Sequence, residues 1–351
     1  MDQPAMPTAT NRLPPRPILV AGGLLVLYLV WGSTYLGIRI AVQTIPPFLM
    51  AGLRFLLAGA VLLGWSALRE GRAFAWPTRR EWRDTFIVGA LLLGAGMGMV
   101  AWGEQSVPSG IAALMIAVMP VWIAVLGRVF FAERLPRAAI FGVAIGLLGV
   151  AILVSPSANP SERLDLAGMA ALVLSPICWS SGSLFSAHRA KLPARPLVAT
   201  GGQMLSGAAV LLVAAVVTGE PARVHVEAIS AASIGAFAYL TVVGSLVAFT
   251  TYVLMLRAAP LPLIATYAYV NPIVAVFLGW VVLSEPLTPR TIVAGAVIVF
   301  AVALIITARG RMRQPASELP VPAGAGAVTA IPAASTVGRR AAIDPAGASE
   351  R

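Results

Sequence analysis

The chain has 351 residues, 58% of them hydrophobic and only 11% charged, with a formal net charge of +11. Soluble domains carry about 25% charged residues, so a mean hydropathy of +0.87 excludes a soluble globular fold and points to an integral membrane protein. Cys178 is the one cysteine, and neither His188 nor His225 has metal-ligand spacing to a carboxylate, so no disulfide, metal or cofactor is expected.

Residues 1–16 are polar and proline-rich, with no core to bury, and read as a disordered tail. Windows of about 20 residues then predict ten membrane helices. In chain order they are Pro17–Ile38, Pro47–Leu68, Thr85–Gly103, Pro108–Gly127, Pro136–Val154, Leu166–Ala187, Pro196–Val217, Ser230–Leu256, Pro262–Leu283 and Pro286–Thr307. Many open on proline, whose missing N–H costs nothing where the first-turn donors are unpaired anyway. The first apolar run continues through Trp31 to Ile40 without a small-residue cleavage site, so it is not a signal peptide. Connections of about 5 to 15 residues leave no room for a separate soluble domain. Residues 308–351 read as a second disordered tail.

The basic residues punctuate the ends of the apolar runs and form no patch, which argues against a nucleic-acid partner. Arg12 and Arg16 precede the first helix, and Arg69, Arg72, Arg79, Arg80 and Arg83 lie between the second and third. Arg128, Arg134 and Arg137 follow the fourth, Arg189, Lys191 and Arg195 the sixth, Arg257 the eighth, and Arg309, Arg311 and Arg313 the tenth. The alternate loops hold Arg39, Arg163, Arg223 and Arg290. That asymmetry places both termini in the cytoplasm.

The sequence repeats itself at a spacing of about 150 residues, too long for a solenoid. Ala113-Leu-Met-Ile-Ala-Val-Met-Pro120, Leu126-Gly127 and Ala132-Glu133-Arg134-Leu135 are answered by Ala265-Thr-Tyr-Ala-Tyr-Val-Asn-Pro272, Leu278-Gly279 and Ser284-Glu285-Pro286-Leu287. Trp31-Gly-Ser-Thr34 answers Trp179-Ser-Ser-Gly182, and an alignment from Pro47 and Pro196 sets Arg54 opposite Gln203. The expected domains are therefore a first repeat over 17–154 and a second over 166–307, five helices each. An odd helix count inverts the second repeat in the membrane, putting Glu133 and Glu285 on opposite faces. Paired inverted repeats form transporter sites where they meet.

Candidate site residues follow from polarity or helix disruption near mid-membrane. Pro120 and Pro272 each remove a backbone hydrogen bond midway along a helix and are expected to kink it, opening a cavity or only improving packing. Tyr267 and Asn271 share a helix face and either line that cavity or form an interhelical hydrogen bond. Trp31 and Thr34 in the first helix, and Trp179 and Ser183 in the sixth, lie well inside their spans and either form cavity wall or pack helices. Arg54 is a cation within a helix; it either pairs with a carboxylate such as Glu104 or holds a negative group on a substrate. Glu104 closes the third helix, as a proton acceptor or an ordinary helix-end charge. Gly94-x-x-x-Gly98 and Gly142-x-x-x-Gly146 are close-packing patterns, while Met97 and Met99 would make an adaptable apolar wall, joined by Phe249 and Tyr252 of the eighth helix.

Trp31-Gly-Ser-Thr-Tyr35, Val107-Pro-Ser-Gly-Ile-Ala-Ala113, Tyr267-Ala-Tyr-Val-Asn-Pro-Ile-Val-Ala275 and Ser284-Glu-Pro-Leu287 resemble the drug/metabolite transporter superfamily, in particular its ten-helix EamA-domain exporters. The likeness runs from Ile18 to Thr307 and is nearest to bacterial inner-membrane members. It implies export of small metabolites, amino acids or drugs across the cytoplasmic membrane and leaves the cargo unnamed.

The expected function is secondary transport by alternating access. The expected partners are a small-molecule substrate and the lipid bilayer, with the chain a monomer or homodimer. No phosphate-cradling Gly-Lys-Ser/Thr loop is present, so ATP is not the direct energy source. A lipid-modifying membrane enzyme would need clustered His, Asp or Glu near one interface, and the sequence places none. A non-transporting receptor or scaffold would be expected to carry a sizeable extramembrane domain.

Overall fold

The structure is a computed structural model that describes residues 17–155, 165–259 and 261–313. The expected tail over 1–16, most of that over 308–351, and Arg12, Arg16 and Arg163 lie outside the described residues. Every regular element among the described residues is helical. Among the described residues nine helices are long and apolar enough to cross a membrane, and a tenth, Tyr267–Leu283, is apolar but shorter because its helix is broken.

The ten are α1 (Pro17–Ala41), α2 (Pro47–Glu70), α3 (Arg79–Gly103), α4 (Ser109–Phe131), α5 (Arg137–Val154), α6 (Leu166–His188), α7 (Pro196–Val217), α8 (Ala231–Ala258), α9 and α10 (Pro289–Arg313). Helix α4 is divided into α4a (Ser109–Ala117) and α4b (Met119–Phe131), and α9 into α9a (Leu261–Ile264) and α9b (Tyr267–Leu283). Because successive helices alternate in direction, α1, α3, α5, α7 and α9 all finish at one end of the bundle, called here the Ala41 end. The opposite end is the Pro17 end.

Several boundaries move from their expected places, each for a local reason. Helix α3 starts at Arg79 rather than Thr85, because Thr78 and Glu81 form a capping box that satisfies first-turn donors and extends the helix through a polar turn. Helix α10 starts at Pro289 rather than Pro286, since the Thr288 hydroxyl accepts from Thr291 N at 3.1 Å and makes the cap. It runs on to Arg313, so residues 308–313 are helical rather than tail.

Packing obeys the two-fold relation between the repeats. Helix α2 packs on its mate α7 and α5 on its mate α10, while α1 against α9b matches α6 against α4b. The α2/α7 crossing needs glycine: a Cβ on Gly59 would sit 2.9 Å from the Gly201 carbonyl, and one on Gly201 would sit 3.2 Å from the Gly59 carbonyl. Both third-position helices carry the same irregularity, an eight-residue π-helical stretch at Ala90–Met97 in α3 and at Leu240–Val247 in α8. Such wide turns break the i→i−4 ladder and are frequent at functional sites.

Candidate functional site

The core of the bundle is the crossing of α4 and α9. Helix α4 breaks at Val118, whose ψ of 2° ends the α-helical ladder, and Pro120 then stands in the first turn of α4b, where it lacks only a donor that would be unpaired. Helix α9 breaks at Ala265–Thr266, ahead of Tyr267, and Pro272 lies inside the continuous α9b. The discontinuity therefore adjoins Pro120 in one repeat and precedes Pro272 by more than a turn in the other. The Met119 carbonyl accepts from the Ser180 hydroxyl of α6 at 3.2 Å.

Between the two broken helices lies a cavity of about 50 Å³, lined by Tyr35, Ile116, Met119, Pro120, Tyr267, Ala268, Asn271 and Pro272 among others. Ile116 and Ala268, Met119 and Asn271, and Pro120 and Pro272 are repeat-related pairs. The cavity thus sits where the two repeats meet. Asn271 is 8% exposed; with its amide nitrogen toward α1 it donates to the Tyr28 carbonyl at 3.3 Å and the Tyr267 carbonyl at 3.2 Å. It lines the cavity and ties α9b to α1 at once.

An aromatic cluster flanks this cavity. Trp31 meets Tyr267 at 4.8 Å, Tyr252 at 5.3 Å and Phe249 at 5.5 Å between ring centroids, the Tyr267 and Phe249 contacts edge-to-face. Gly32 permits the approach, because a Cβ there would lie 2.6 Å from Val274 of α9b. Thr34 is buried, and its hydroxyl donates to the Trp31 carbonyl at 2.6 Å. The mate of Trp31, Trp179, lies instead against the π-helical stretch of α3, 3.3 Å from where a Cβ on Gly96 would stand. Met97 of the same stretch and Trp179 are half-buried against the main core, and Ser183 is half-buried one turn beyond Trp179. Of the expected binding residues, Tyr267 and Asn271 line the cavity, whereas Trp31, Thr34, Arg54, Met97, Trp179, Ser183 and Tyr252 are not among its lining residues.

Arg54 is 3% exposed, and its Nε donates to the Ser245 hydroxyl at 2.9 Å. Ser245 in turn donates to the Leu240 carbonyl at 3.1 Å, a carbonyl of the π-helical stretch. Arg54 does not pair with Glu104, and among the described residues its side chain enters no ion pair. The reason is position: Arg54 reaches α8 from the interior of α2, while Glu104 lies past the end of α3, beside Arg39. Gly244 makes room for the guanidinium, since a Cβ there would lie 3.3 Å from Arg54 Nη2.

Glu104 follows the third span directly and is fully buried, and among the described residues neither carboxylate oxygen has a hydrogen-bond partner. The Arg39 guanidinium donates to its backbone carbonyl rather than to its side chain. Burial, and then the charge of Glu285, push the Glu104 carboxyl well above the ordinary carboxylate range, with Arg39 pulling the other way.

The ends of α4b and α9b share one local design that hydropathy alone does not reveal. Ala132 (φ 52°) and Ser284 (φ 53°) turn left-handed, and the next residue, Glu133 or Glu285, donates its N–H to Gly127 or Gly279 at 3.1 Å. Each glutamate folds back over that glycine, where a Cβ would stand 2.8 Å and 2.4 Å from the respective carboxylate oxygens. Their partners then differ. Glu285 accepts from Ser109 N at 2.7 Å, Ser109 Oγ at 3.0 Å and Gly110 N at 3.1 Å. Glu133 is paired with Arg309 and with His188 Nε2 at 3.2 Å, the imidazole stacking on Phe131. The sequence signal for this was the doubled Leu-Gly…Glu spacing; the partner helices carry no spacing signal.

Comparison with known proteins agrees with this architecture. The EamA-like transporter family pattern matches residues 19–155 and 166–307, one match per repeat. The chain is 36% identical over 305 residues to the uncharacterized inner membrane transporter YedA of Escherichia coli K12, covering 86% of this chain and 94% of that one. It is 27% identical to protein PecM of Dickeya dadantii, covering 79% and 88%, and 26% identical to a probable amino-acid metabolite efflux pump of Salmonella typhimurium, covering 50% and 55%. A solved crystal structure superimposes with a TM-score of 0.56 at 20% identity, covering 83% of this chain and 98% of that one, and shares the fold.

Proposed function

Because the chain belongs to the EamA-like transporter family of the drug/metabolite transporter superfamily, we propose that it is a secondary exporter that moves small amphipathic metabolites, amino acids or drug-like compounds across the inner membrane by alternating access. The observation that carries this reading is the cavity between α4 and α9, lined by repeat-related pairs at two broken helices. A site on a pseudo-two-fold axis can be offered to either face by rocking one repeat against the other.

Within this reading Trp31, Tyr252 and Tyr267 hold the apolar body of the cargo, and Met97 and Trp179 add apolar surface from α3 and α6. Asn271, Thr34 and Ser183 supply hydrogen bonds. Arg54, a buried cation whose described partners, the Ser245 hydroxyl and the Phe55 ring, are neutral, receives a negatively charged group. Glu104, buried with both oxygens unpartnered, is the proton-coupling residue. Both termini face the cytoplasm, which makes the Ala41 end the outer one. A relative named as a probable amino-acid metabolite efflux pump supports the cargo class.

The test is a resistance screen with metabolites and drugs in overexpressing cells, followed by efflux from proteoliposomes with and without a pH gradient. Expected is protein-dependent efflux of at least one amphipathic compound, accelerated by the gradient. Absence of protein-dependent movement for every compound that the screen selects would overturn the reading.

A further inference from the structure

We infer that Glu285 is a conformational latch: its carboxylate, seated on the N-terminus of α4a, holds the Ala41 end of the bundle shut, and its repeat mate Glu133 is not an equivalent latch for the other end. The inference rests on the alternating-access reading above.

The seat joins the two repeats. Glu285 ends α9b, while Ser109 and Gly110 open α4a, and three donors converge on one carboxylate. Two are first-turn backbone N–H groups, which have no partner within their own helix, so an anion placed there is held by hydrogen bonds and by the helix dipole together. Ser109 is fully buried, and a Cβ on Gly110 would stand 3.1 Å from Val276 Cα, so the chains touch closely at this point. A transporter that opens at the Ala41 end must separate these elements.

Repeat symmetry states what the matching contact would be at the Pro17 end. Glu133 would seat on the start of α9a, where Leu261 stands for Ser109 and Pro262 for Gly110. Leu261 has no hydroxyl and Pro262 no N–H, so two of the three donors are missing from the sequence. Glu133 is instead paired with His188 of α6 and Arg309 of α10. The charged and titratable groups around the Glu285 latch are Glu104 after α3 and Arg39 on α1, with Tyr35 one turn before Arg39. An ionised Glu104 would repel the seated Glu285 carboxylate, so a proton on Glu104 favours the shut latch.

The experiment uses the full chain with Cys178→Ala and a single reporter, Ile116→Cys, in the cavity wall. Labelling by a membrane-impermeant maleimide is timed from each face, in intact cells and in inverted vesicles, with no cargo present. Glu285→Gln is expected to raise the rate from the Ala41 face about fivefold, the scale of removing a charge from a helix N-terminus. Glu133→Gln is expected to leave the rate from the Pro17 face unchanged. Wild-type labelling in Glu285→Gln overturns the latch, and an equal rise at the Pro17 face in Glu133→Gln overturns the asymmetry. If Glu285→Gln does not accumulate in the membrane, Ser109→Ala decides: a smaller rise at the Ala41 face supports the latch and no rise overturns it. Labelling is read apart from efflux, so a failed export assay with an intact latch response refutes the exporter reading alone.

Discussion

Arg54 reaches from α2 to α8 and donates its Nε–H to the Ser245 hydroxyl at 2.9 Å, leaving the guanidinium in the protein interior beside a neutral partner. A buried cation of this kind is costly unless something anionic visits it. Arg54→Gln should therefore lower efflux of anionic cargo by tenfold or more, since a hydrogen bond to a charged group is worth about 1.5–3 kcal/mol. Neutral cargo should be carried at near wild-type rates, with normal membrane abundance. The check is paired efflux of an acid and its amide or ester. An equal loss for both, together with low abundance, would assign Arg54 to folding.

Asn271 ties α9b to the Tyr28 carbonyl and also lines the cavity that Met119 lines from the other repeat. Interhelical hydrogen bonds in membranes are worth about 0.6 kcal/mol on average, so Asn271→Ala should cost little stability. Transport should nonetheless fall severalfold, because the polar group is lost from the cargo wall. Comparing initial efflux rates at matched membrane abundance tests this, and wild-type efflux would remove Asn271 from the site.

For Glu104 the sign follows from its surroundings. Its carboxyl is held above the ordinary carboxylate range in this conformation, so it keeps a proton at pH values where an exposed glutamate has lost it. The proton is released when the surroundings open to water and the carboxyl returns toward its ordinary range. Glu104→Gln fixes the protonated shape. A pH gradient should then no longer accelerate efflux, while movement of cargo down its own gradient continues. Proteoliposomes with and without an imposed gradient separate these, and a preserved response to the gradient would exclude Glu104 from coupling.

What the sequence disclosed and what it concealed divide along physical lines. Helix number follows from hydropathy, which depends on local composition, while repeat pairing and inversion follow from residue identities recurring about 150 positions apart and from the odd helix count. Trp31, Tyr252 and Tyr267 stand in contact because the inward faces of α1, α8 and α9 converge on them, and helical periodicity preserves which face a residue occupies. The α9 break at Ala265–Thr266 does not follow from Pro272, since a proline in a membrane helix is accommodated by its neighbours. Thr78 and Glu81 carried a readable capping signature, but the polar turn they start falls outside an apolar window. The Glu285 seat was hidden for another reason: its partners are backbone N–H groups of a distant helix, which have no residue signature beyond Ser109.

Gly279 provides the last test, because it separates the geometry of the latch from its charge. A Cβ at this position would stand 2.4 Å from the Glu285 carboxylate and 2.9 Å from the Ser109 hydroxyl, distances that real Cβ atoms do not show. Gly279→Ala must therefore displace the carboxylate from α4a or strain the end of α9b, an overpacking effect of about 1–3 kcal/mol. Gly22, which has nothing within 4 Å of a Cβ position, supplies the control. Gly22→Ala should leave the melting temperature in detergent unchanged, whereas Gly279→Ala should lower it by several degrees. Glu285→Ala removes the obstructed group, so adding Gly279→Ala to it should cost less than adding it to the wild-type chain. Strictly additive effects of the two substitutions would show that the glycine does not serve the glutamate. A shortfall measures the coupling between Gly279 and Glu285 directly.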